Sequence, residues 1–456
     1  MTVIMKESKP GDRLEQLRQT SIQIFEEALQ ACSLSHAFAS RITMSDPHRL
    51  HLEGDGEIDL SSIKRIIVIS MGKGAANMLD VLLSQPNLTA DREVSGILIA
   101  PQRPESLRDG VAFYAGGHPT PNEHSFEAAR AALELLRTAS HDNLAAETFC
   151  FFLISGGASA MMELPLDSEI TLEDTIAFHR ALVHSGASIA EINCVRKHFS
   201  AVKGGRLALA ATSLRSLTIA VSDVPAGQLD VLASGPTLPD SSTIADCKRI
   251  LAQYQLLVCF PESVRRYFES SDLAESPKPG EIVPRVYALL SSEHFAQAAQ
   301  ESAERRGFRT FIDNSCDDWD YREAADYLLG RMRDLQRQYG SICLISAGEV
   351  TVRLPADNAA SPKSRAGGRN LHFALYSASQ LRDLEDIAVL SAGSDGIDGN
   401  SPAAGAAVDR TTIRTRSEAE TALQEFASFD YLNEAGAAII TGPTGNNLRD
   451  LRILLS

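Results

Sequence analysis

Short apolar runs alternate with amphipathic stretches along almost the whole chain of 456 residues. The runs are continuous and rich in Ile, Val, Leu and Phe, which is typical of strands buried on both faces of a sheet. They predict strands at 65–70, 96–100, 149–155, 216–222, 285–290, 342–346, 387–392 and 437–441.

The segments between these runs have apolar residues at helical spacing. They predict helices at 13–31, 122–138, 172–183, 294–306, 321–338, 370–384 and 446–454. Strands that alternate with helices indicate an α/β fold with mostly parallel sheets and helices on both faces. The polar, proline-containing segment 270–284 predicts a boundary between one domain of residues 1–275 and a second of residues 280–456.

Composition excludes several classes of protein. A formal net charge of −16 argues against a general nucleic-acid binder and against a protein of anionic membranes. No apolar run has the length of a membrane span, and the first thirty or so residues lack the apolar core of a signal peptide. The seven cysteines are scattered and form no C-x-x-C pair, which predicts reduced thiols and a cytoplasmic location.

Glycines and charged side chains follow the predicted strand at 65–70. Gly72 and Gly74 allow close approach of a ligand such as a nucleotide phosphate, and Lys73 between them supplies a mobile positive charge. The spacing matches neither G-x-x-x-x-G-K-[ST] nor a complete G-x-G-x-x-G, so a tight turn with an exposed lysine is the alternative.

Two further strand ends carry polar groups in the first domain. Ser155, Gly156 and Gly157 form a candidate backbone cradle for phosphate or carboxylate, and they do not match the G-x-S-x-G of a nucleophilic serine. Asp223 follows the strand at 216–222, where a carboxylate acts as a general base or holds Mg²⁺. The alternative is that Asp223 caps the segment after it.

A charged segment at 188–203 is predicted to be helical. Asn193, Arg196 and Lys197 stand at i, i+3 and i+4, which places an amide and two cations on one arc for an anionic substrate. A solvated charged face is the alternative interpretation. His198 lacks partners at metal-ligand spacing and is interpreted as structural.

The last third of the chain also contains glycine-rich segments with charged side chains. Arg369 follows two glycines at a predicted helix start, where bidentate contact with a phosphate or carboxylate is favoured over a loop arginine without a fixed partner. Asp395 and Asp398 lie in the stretch SAGSDGIDG, which lacks the spacing of a Ca²⁺ loop. They are interpreted as the acidic side of a phosphate-transfer site.

A predicted strand, glycine-rich loop and helix at 441–451 suit nucleotide phosphates. The candidate ATP-binding residues there are Thr441, Gly442, Thr444, Gly445 and Asn446.

Several of these segments together resemble the class II glycerate kinases, whose carboxy-terminal part is called the MOFRL domain. The resemblance covers most of the chain, in the family's order. It rests on GGHPTPNEHS, ISGGASAMMELP, EINCVRKHFSAVKGGRLA, SDVPAGQLDVLASGPTLPD, AGGRNLHFAL, AGSDGIDGNSPAAGAAVD and TGPTGNNLRDLRILL.

The resemblance implies an ATP-dependent kinase that converts D-glycerate to 2-phosphoglycerate with Mg²⁺. It also implies two α/β/α domains, the first of them Rossmann-like, with the active site in the cleft between them. We expect a monomer or a homodimer that acts on a small molecule.

Residue roles follow from matching positions. Lys73 and Arg369 match catalytic candidates of the family and would neutralise charge on the transferring phosphoryl group. Asp223 would accept a proton or hold the metal. Asp398 would be a further metal ligand or would order its loop by hydrogen bonds to backbone N–H groups, and Asp395 would contact the substrate or the metal. The sequence SSEHFA at 291–296 departs from the family's polar run, which leaves a related hydroxy acid open as the substrate.

Two alternatives from other classes remain at this point. A hydroxypyruvate reductase would be expected to show a dinucleotide fingerprint with a downstream acidic residue, and the sequence has no complete one. A non-catalytic sensor of nucleotides or sugar acids would keep the same binding residues without turnover.

Overall fold

The computed structural model describes residues 10–225, 227–353 and 365–456. The chain divides into two compact units, one of Leu34–Leu289 and one formed by the chain through Ser33 together with Leu290–Ser456.

A six-stranded sheet forms the centre of the unit Leu34–Leu289 within the described chain. Its order is β6-β5-β4-β7-β8-β9, and the first five of these strands pair in parallel. The strands are β4 Arg65–Met71, β5 Glu93–Ala100, β6 Val111–Ala115, β7 Thr148–Ile154, β8 Arg215–Val221 and β9 Val286–Leu290.

This strand order is that of a Rossmann-like fold. The chain adds β5 and β6 on one side of β4 and then returns to add β7, β8 and β9 on the other. The reversal creates a topological switch point between β4 and β7, and open α/β sheets bind ligands outside the carboxyl ends of the strands at such a point. The expected Rossmann-like domain is therefore confirmed.

Helices cover this sheet, and a small antiparallel sheet precedes it. Strand β7 is buried along its whole length, as its unbroken apolar sequence predicts. The small sheet consists of β1 Ile42–Asp46, β2 Arg49–Leu52 and β3 Gly56–Asp59. The helices are α2 Leu34–Arg41, α3 Ala75–Leu83, α4 Pro86–Thr89, α5 Glu123–His141, α6 Ala158–Met161, α7 Leu172–Val183, α8 Ile189–Phe199, α9 Arg206–Ala210, α10 Ile244–Gln253 and α11 Glu262–Glu269.

A satellite core fixes helices α7 and α8 beside the sheet. Phe178 of α7 stacks on Phe199 at the end of α8, with ring centroids 4.0 Å apart. Phe260 and Phe268 close the cluster from the side of α11. The two helices that carry Arg196 and its neighbours are thus held by buried aromatic packing.

A second sheet lies in the other unit, and most of its strand pairs are antiparallel, whereas the sequence predicts mostly parallel sheets. Its order is β10-β11-β15-β12-β13-β14, in which only β10 and β11 pair in parallel among the described strands. The strands are β10 Arg309–Ile312, β11 Ile342–Ala347, β12 Ala388–Gly393, β13 Gly405–Val408, β14 Ala438–Ile439 and β15 Asp450–Leu455.

Strand β15 accounts for most of this difference. The sequence predicts a helix at 446–454, but residues from Asp450 form a fully buried strand between β11 and β12, antiparallel to both. A short apolar run is compatible with either a buried strand or a buried helix, and periodicity alone does not separate them. The predicted helix is wrong.

Two short helices of this unit, Arg416–Gln424 and Ser428–Glu434, are not predicted by the sequence, and the other helices agree with it within a few residues at their ends. They include α1, which the sequence places in the first domain, whereas α1 packs against α12, β12 and β15. Apolar contacts between residues far apart in the sequence hold α1 in this unit, for example Phe25 of α1 against Phe295 of α12, with ring centroids 5.8 Å apart. The helices are α1 Pro10–Ala31, α12 Ser292–Arg305, α13 Tyr321–Tyr339, α14 Arg369–Gln380, α15 Arg416–Gln424 and α16 Ser428–Glu434.

None of the helices in the described part of the chain is long and apolar enough to cross a membrane. None of the seven cysteines forms a disulfide within the described chain, and six of them are buried.

Candidate active site

Three strand ends meet at one edge of the sheet in the unit Leu34–Leu289. Met71 is in register with Ile154, and Ile154 with Ala220, in parallel pairs. The residues that follow these strands therefore lie side by side at the switch point. They are Gly72, Lys73 and Gly74 after β4, Ser155, Gly156 and Gly157 after β7, and Asp223 after β8.

Hydrogen bonds join the first two of these loops. Lys73 N donates to Gly156 O at 2.9 Å, and Gly74 N donates to Ser155 Oγ at 3.0 Å. The backbone N–H groups near Lys73 are thus used within the protein. The N–H groups of Gly156 and Gly157 have no acceptor among the described residues, so they are the donors that remain for an anion.

Neighbouring groups occupy the Cβ position of two glycines, backbone at Gly72 and the end of a side chain at Gly156. A Cβ atom at Gly72 would lie 2.5 Å from the carbonyl oxygen of Ser155, and Gly72 has a φ of 117°. A Cβ atom at Gly156 would lie 2.1 Å from Asp223 Oδ2. The second distance shows that the Asp223 carboxylate reaches the cradle loop.

Lys73 is exposed, and its ammonium group makes no hydrogen bond or ion pair with any described side chain. Its stem lies near Gly157, where a Cβ atom would be 3.3 Å from Lys73 Cγ and 3.0 Å from His118 Cδ2. Burial, and then the charge of Lys73, lower the pKa of His118. The site thus holds an uncompensated cation beside an imidazole.

A cavity of about 390 Å³ adjoins this loop and is lined in part by Gly157 and Ser159. Arg196 of α8 also lines the cavity, as the sequence prediction of a substrate-binding arginine requires. Its guanidinium forms no hydrogen bond and no ion pair within the described chain, and its Nε atom is buried.

The other two residues of the predicted arc are placed differently. Lys197 is 5% exposed and lies 3.4 Å from Asp240 Oδ1 and 3.5 Å from Asp230 Oδ2, so its charge is already paired. Asn193 is 4% exposed and accepts a hydrogen bond from Ser234 Oγ at 2.9 Å. Only Arg196 of the three lines the cavity.

His198 is structural in its contacts, as its lack of metal-ligand spacing predicts. Its Nε2 lies 2.8 Å from Glu275 Oε1, and its Nδ1 lies 2.8 Å from the carbonyl oxygen of Cys194.

A second group of predicted residues comes together in the other unit. Gly393 of β12 is in register with Asp450 of β15, and Ala347 of β11 with Leu451. A cavity of about 560 Å³ at this edge is lined by Glu349, Arg369, Asp395 and Asp398, among others.

Arg369 is held by two carboxylates in this cavity. Its Nε donates to Asp450 Oδ2 at 2.6 Å and its Nη2 to Asp450 Oδ1 at 3.1 Å, and Nη2 lies 2.8 Å from Glu349 Oε1. Burial opposes the charged form, but the two carboxylates outweigh it and raise the pKa of Arg369. Burial raises the pKa of Glu349, against the attraction of Arg369.

Asp398 caps helix α14 and is only 2% exposed. Its Oδ1 accepts from Asn370 N at 3.1 Å, and its Oδ2 accepts from Leu371 N at 2.8 Å. Burial, reinforced by the charge of Asp450, raises the pKa of Asp398 to about 7. Both oxygens are engaged by the backbone, which is the arrangement of a helix cap.

Asp395 and the glycine-rich loop after β14 lie against each other. Thr444 N donates to the carbonyl oxygen of Asp395 at 3.1 Å, and Thr444 Oγ1 donates to Ser394 O at 2.6 Å. Asn446 Nδ2 donates to Cys32 O at 2.8 Å. The loop from Thr441 through Gly442 and Gly445 leads into β15, so no helix start follows it to attract a phosphate.

Family comparisons agree with this fold. A family model described as a domain of unknown function, DUF4147, matches residues 20–269, and the MOFRL family model matches residues 342–450. A D-glycerate 2-kinase of Thermotoga maritima is 32% identical over 448 residues, which cover 96% of this chain and 98% of the relative. The chain belongs to the class II glycerate kinase family.

Other members of the family extend this comparison. The crystal structure of a glycerate kinase from Thermotoga maritima matches with a TM-score of 0.81 at 31% identity, and the match covers 97% of this chain and 99% of that one. A protein of Agrobacterium vitis with the provisional name of hydroxypyruvate reductase is 32% identical over 410 residues, 86% of this chain and 87% of its own. The resemblance and the α/β fold predicted from sequence are confirmed.

Sequence reasoning within the glycerate kinase motifs missed several residues of the two groups. His118 belongs to the motif GGHPTPNEHS, which contributed to the resemblance but received no role. Glu349 and Asp450, the partners of Arg369, sit at strand ends that the sequence does not mark as neighbours. Carboxylate pairing with an arginine is a long-range contact, and only the sheet register reveals it.

Proposed function

We propose that this member of the glycerate kinase family transfers the γ-phosphoryl group of ATP to the 2-hydroxyl of D-glycerate. The observation that carries the proposal is the unpaired Lys73 at the switch point, beside the free N–H groups of Gly156 and Gly157 and the carboxylate of Asp223. The family's kinase names and the matching crystal structure support the same reaction class.

Phosphoryl transfer requires positioning and charge neutralisation more than covalent chemistry by the protein. The glycerate oxygen forms a bond to the γ-phosphorus while the bond to the β,γ-bridging oxygen breaks, and ADP leaves with that electron pair. Asp223 takes the hydroxyl proton, and Lys73 neutralises charge on the transferring group. Arg196 binds the carboxylate of the acid through its unpaired guanidinium.

Arg369 is the second cation that we assign to the transferring group. Assignment of Asp395 to the substrate and of the loop 441–446 to ATP stays a prediction, as do a monomeric or dimeric state and a cytoplasmic location.

Mg²⁺ would enter this reaction with the nucleotide. No group of three or more His, Cys, Asp and Glu in the described parts of the chain is placed to hold a metal ion by itself. A magnesium ion that is bound mainly by phosphates needs only one or two carboxylates, and Asp223 fits that requirement. Asp398 fits it less well, because both of its oxygens already accept hydrogen bonds from backbone N–H groups. When bound, the ion supplies positive charge to the phosphates.

The Lys73→Ala variant tests the proposal. Removal of the Lys73 ammonium group is expected to lower kcat/KM for D-glycerate by about 10²- to 10³-fold, because that charge acts mainly in the transition state. The assay is ADP release with Mg-ATP, and Lys248→Ala on the exposed face of α10 is the matched control. Activity within a few-fold of wild type would remove Lys73 from the mechanism.

The name of the Agrobacterium relative makes a reductase the rival to test. NADH consumption with hydroxypyruvate in the absence of ATP would favour it. ATP binding without turnover of any hydroxy acid would instead favour a sensor.

A further inference from the structure

The cavity beside Gly157 contains a histidine to which neither the motifs nor the proposed reaction assign a role. His179 of α7 lines this cavity together with Arg196 and Ser159. It is 8% exposed, and its ring packs against Phe178 and Phe199. The buried aromatic side chains of the satellite core therefore hold the ring of His179 in place.

One side of the His179 ring is held by a buried carboxylate. His179 Nε2 lies 2.9 Å from Glu163 Oε2, and Lys203 Nζ lies 2.5 Å from the same oxygen. Glu163 is 0% and Lys203 is 1% exposed. Burial alone would raise the pKa of Glu163, but Lys203 and His179 outweigh it and keep the carboxylate ionised.

This pairing determines the tautomer of His179. An ionised carboxylate only accepts hydrogen bonds, so the ring hydrogen must be on Nε2. Burial lowers the pKa of His179 and favours the neutral ring. The neutral ring then presents Nδ1 as a hydrogen-bond acceptor.

Two residues that line this cavity, His179 and Arg196, each carry a buried polar atom without a partner, and the two side chains together are complementary to a hydroxy acid. His179 Nδ1 and Arg196 Nε are buried and bond no group that the structure describes. Buried polar atoms without partners are rare, and each calls for an explanation. An acceptor at His179 suits a hydroxyl hydrogen, and the guanidinium of Arg196 suits a carboxylate.

We propose that His179, held by Glu163 and Lys203, recognises the hydroxyl of the acid that is not phosphorylated, while Arg196 binds the carboxylate. The inference rests on the proposed function for the identity of the acid. Since Asp223 is assigned to the reacting 2-hydroxyl, His179 accepts the hydrogen bond from the hydroxyl on C3. It is a specificity residue, and Glu163 and Lys203 are its positioning residues.

The test compares two acids that differ only in that hydroxyl. D-glycerate carries a hydroxyl on C3, and D-lactate does not. A site built to bond a substrate hydroxyl rejects the analogue that lacks it, since its own buried group is then left unpaired. Wild type is expected to prefer D-glycerate strongly, and His179→Gln is expected to lower this preference by at least about tenfold, mainly through KM for D-glycerate.

Glutamine is chosen because its amide nitrogen still reaches Glu163 from the place of Nε2, yet it offers no acceptor at the place of Nδ1. In His179→Asn the amide oxygen can stand at the place of Nδ1 as an acceptor, while the bond to Glu163 is lost. His179→Asn is therefore expected to retain more of the preference for D-glycerate over D-lactate than His179→Gln. Arg196→Met is expected to raise KM for both acids by a similar factor, because both carry the carboxylate.

The outcomes separate this inference from the proposed function. An unchanged preference in a folded His179→Gln protein overturns the role of His179, and so does an equal loss with both acids, which would indicate a general base. If wild type phosphorylates neither acid, the proposed function fails. Calorimetric binding of D-glycerate and D-lactate to wild type and both His179 variants then tests the inference directly, and equal binding of the two acids by wild type overturns it.

Discussion

At the scale of single residues, the absence of a side chain at Gly156 leaves room for the carboxylate of Asp223, which we assign to the reacting hydroxyl. The Asp223 carboxylate occupies the space where a Cβ atom would stand, at 2.1 Å from Oδ2. The obstacle is the end of a flexible side chain and not backbone, so an added methyl group would move the carboxylate before it disturbed the fold.

The Gly156→Ala variant therefore separates function from stability. Ordinary contact needs the Asp223 carboxylate to move by more than about 1 Å, and a displacement of that size at reacting groups lowers rates by about 10²-fold. We expect kcat/KM for D-glycerate to fall by about that factor, with a change of less than about 1 kcal/mol in the free energy of unfolding. Urea unfolding and the ADP-release assay measure the two quantities.

Gly330→Ala is the control for a glycine-to-alanine change as such. Gly330 lies inside α13 with open space at its Cβ position, so alanine should leave activity unchanged and stabilise the protein by about 0.5–1 kcal/mol. Full activity of Gly156→Ala would show that the position of Asp223 is not critical.

At the scale of elements, the carboxylate of Glu27 attaches helix α1 to the end of α12. Glu27 accepts hydrogen bonds from Ser302 Oγ at 2.8 Å, Arg305 Nη2 at 3.0 Å and Arg306 Nη1 at 3.1 Å. Arg306 is the main cause that lowers the pKa of Glu27 to about 2. Because the Glu27 side chain is 41% exposed, solvent screens these interactions and each is worth little.

Glu27→Gln is expected to lower the free energy of unfolding by about 0.5–1 kcal/mol at pH 7. The pKa is lower in the folded state than the ordinary 4.5, so the stabilisation by Glu27 is complete above about pH 5 and declines as pH falls toward 2. The gap between wild type and Glu27→Gln should narrow over this range in urea unfolding. Glu26→Gln, on the exposed face of α1, is the matched control, and an equal effect of both variants would argue against the role of Glu27.

Elements also show how far the sequence predicts this fold. Strands such as β4 and β7 are predictable because their unbroken apolar runs permit only burial on both faces. Strand β15 is not, because a run of similar apolar character fits a helix, and only its position between β11 and β12 decides. The docking of α1 is likewise fixed by partners some 270 residues away, such as Phe295.

The residues of the candidate site likewise divide into those that the local sequence predicts and those that only the structure reveals. Lys73, Ser155, Gly156 and Asp223 are predictable because each follows a recognisable strand. His179 is not, since no motif marks a histidine in the middle of an amphipathic helix. Its significance appears only when Glu163 is found 2.9 Å away.

At the scale of the whole molecule, the two cations assigned to the transferring phosphoryl group belong to different units. Lys73 lies in the unit Leu34–Leu289, and Arg369 lies in the other. Their environments differ as well, because Lys73 has no partner among the described residues while Arg369 is paired with Asp450 and Glu349. Whether Lys73 and Arg369 act on the same step of the reaction can be tested by kinetics.

A double-mutant cycle on Lys73→Ala and Arg369→Ala measures that link. If both cations stabilise the same transition state, each single variant should lose about 10²- to 10³-fold in kcat/KM. The double variant should then lose about as much as the worse single one, since residues that act as a unit are not additive. A loss equal to the product would show independent roles. Arg369→Ala leaves Asp450 buried without its partner and is expected to destabilise the fold. The cycle is therefore repeated with Arg369→Lys, which keeps a cation but not the planar fork of the guanidinium. Thermal melting of each variant checks that it is folded under the assay conditions.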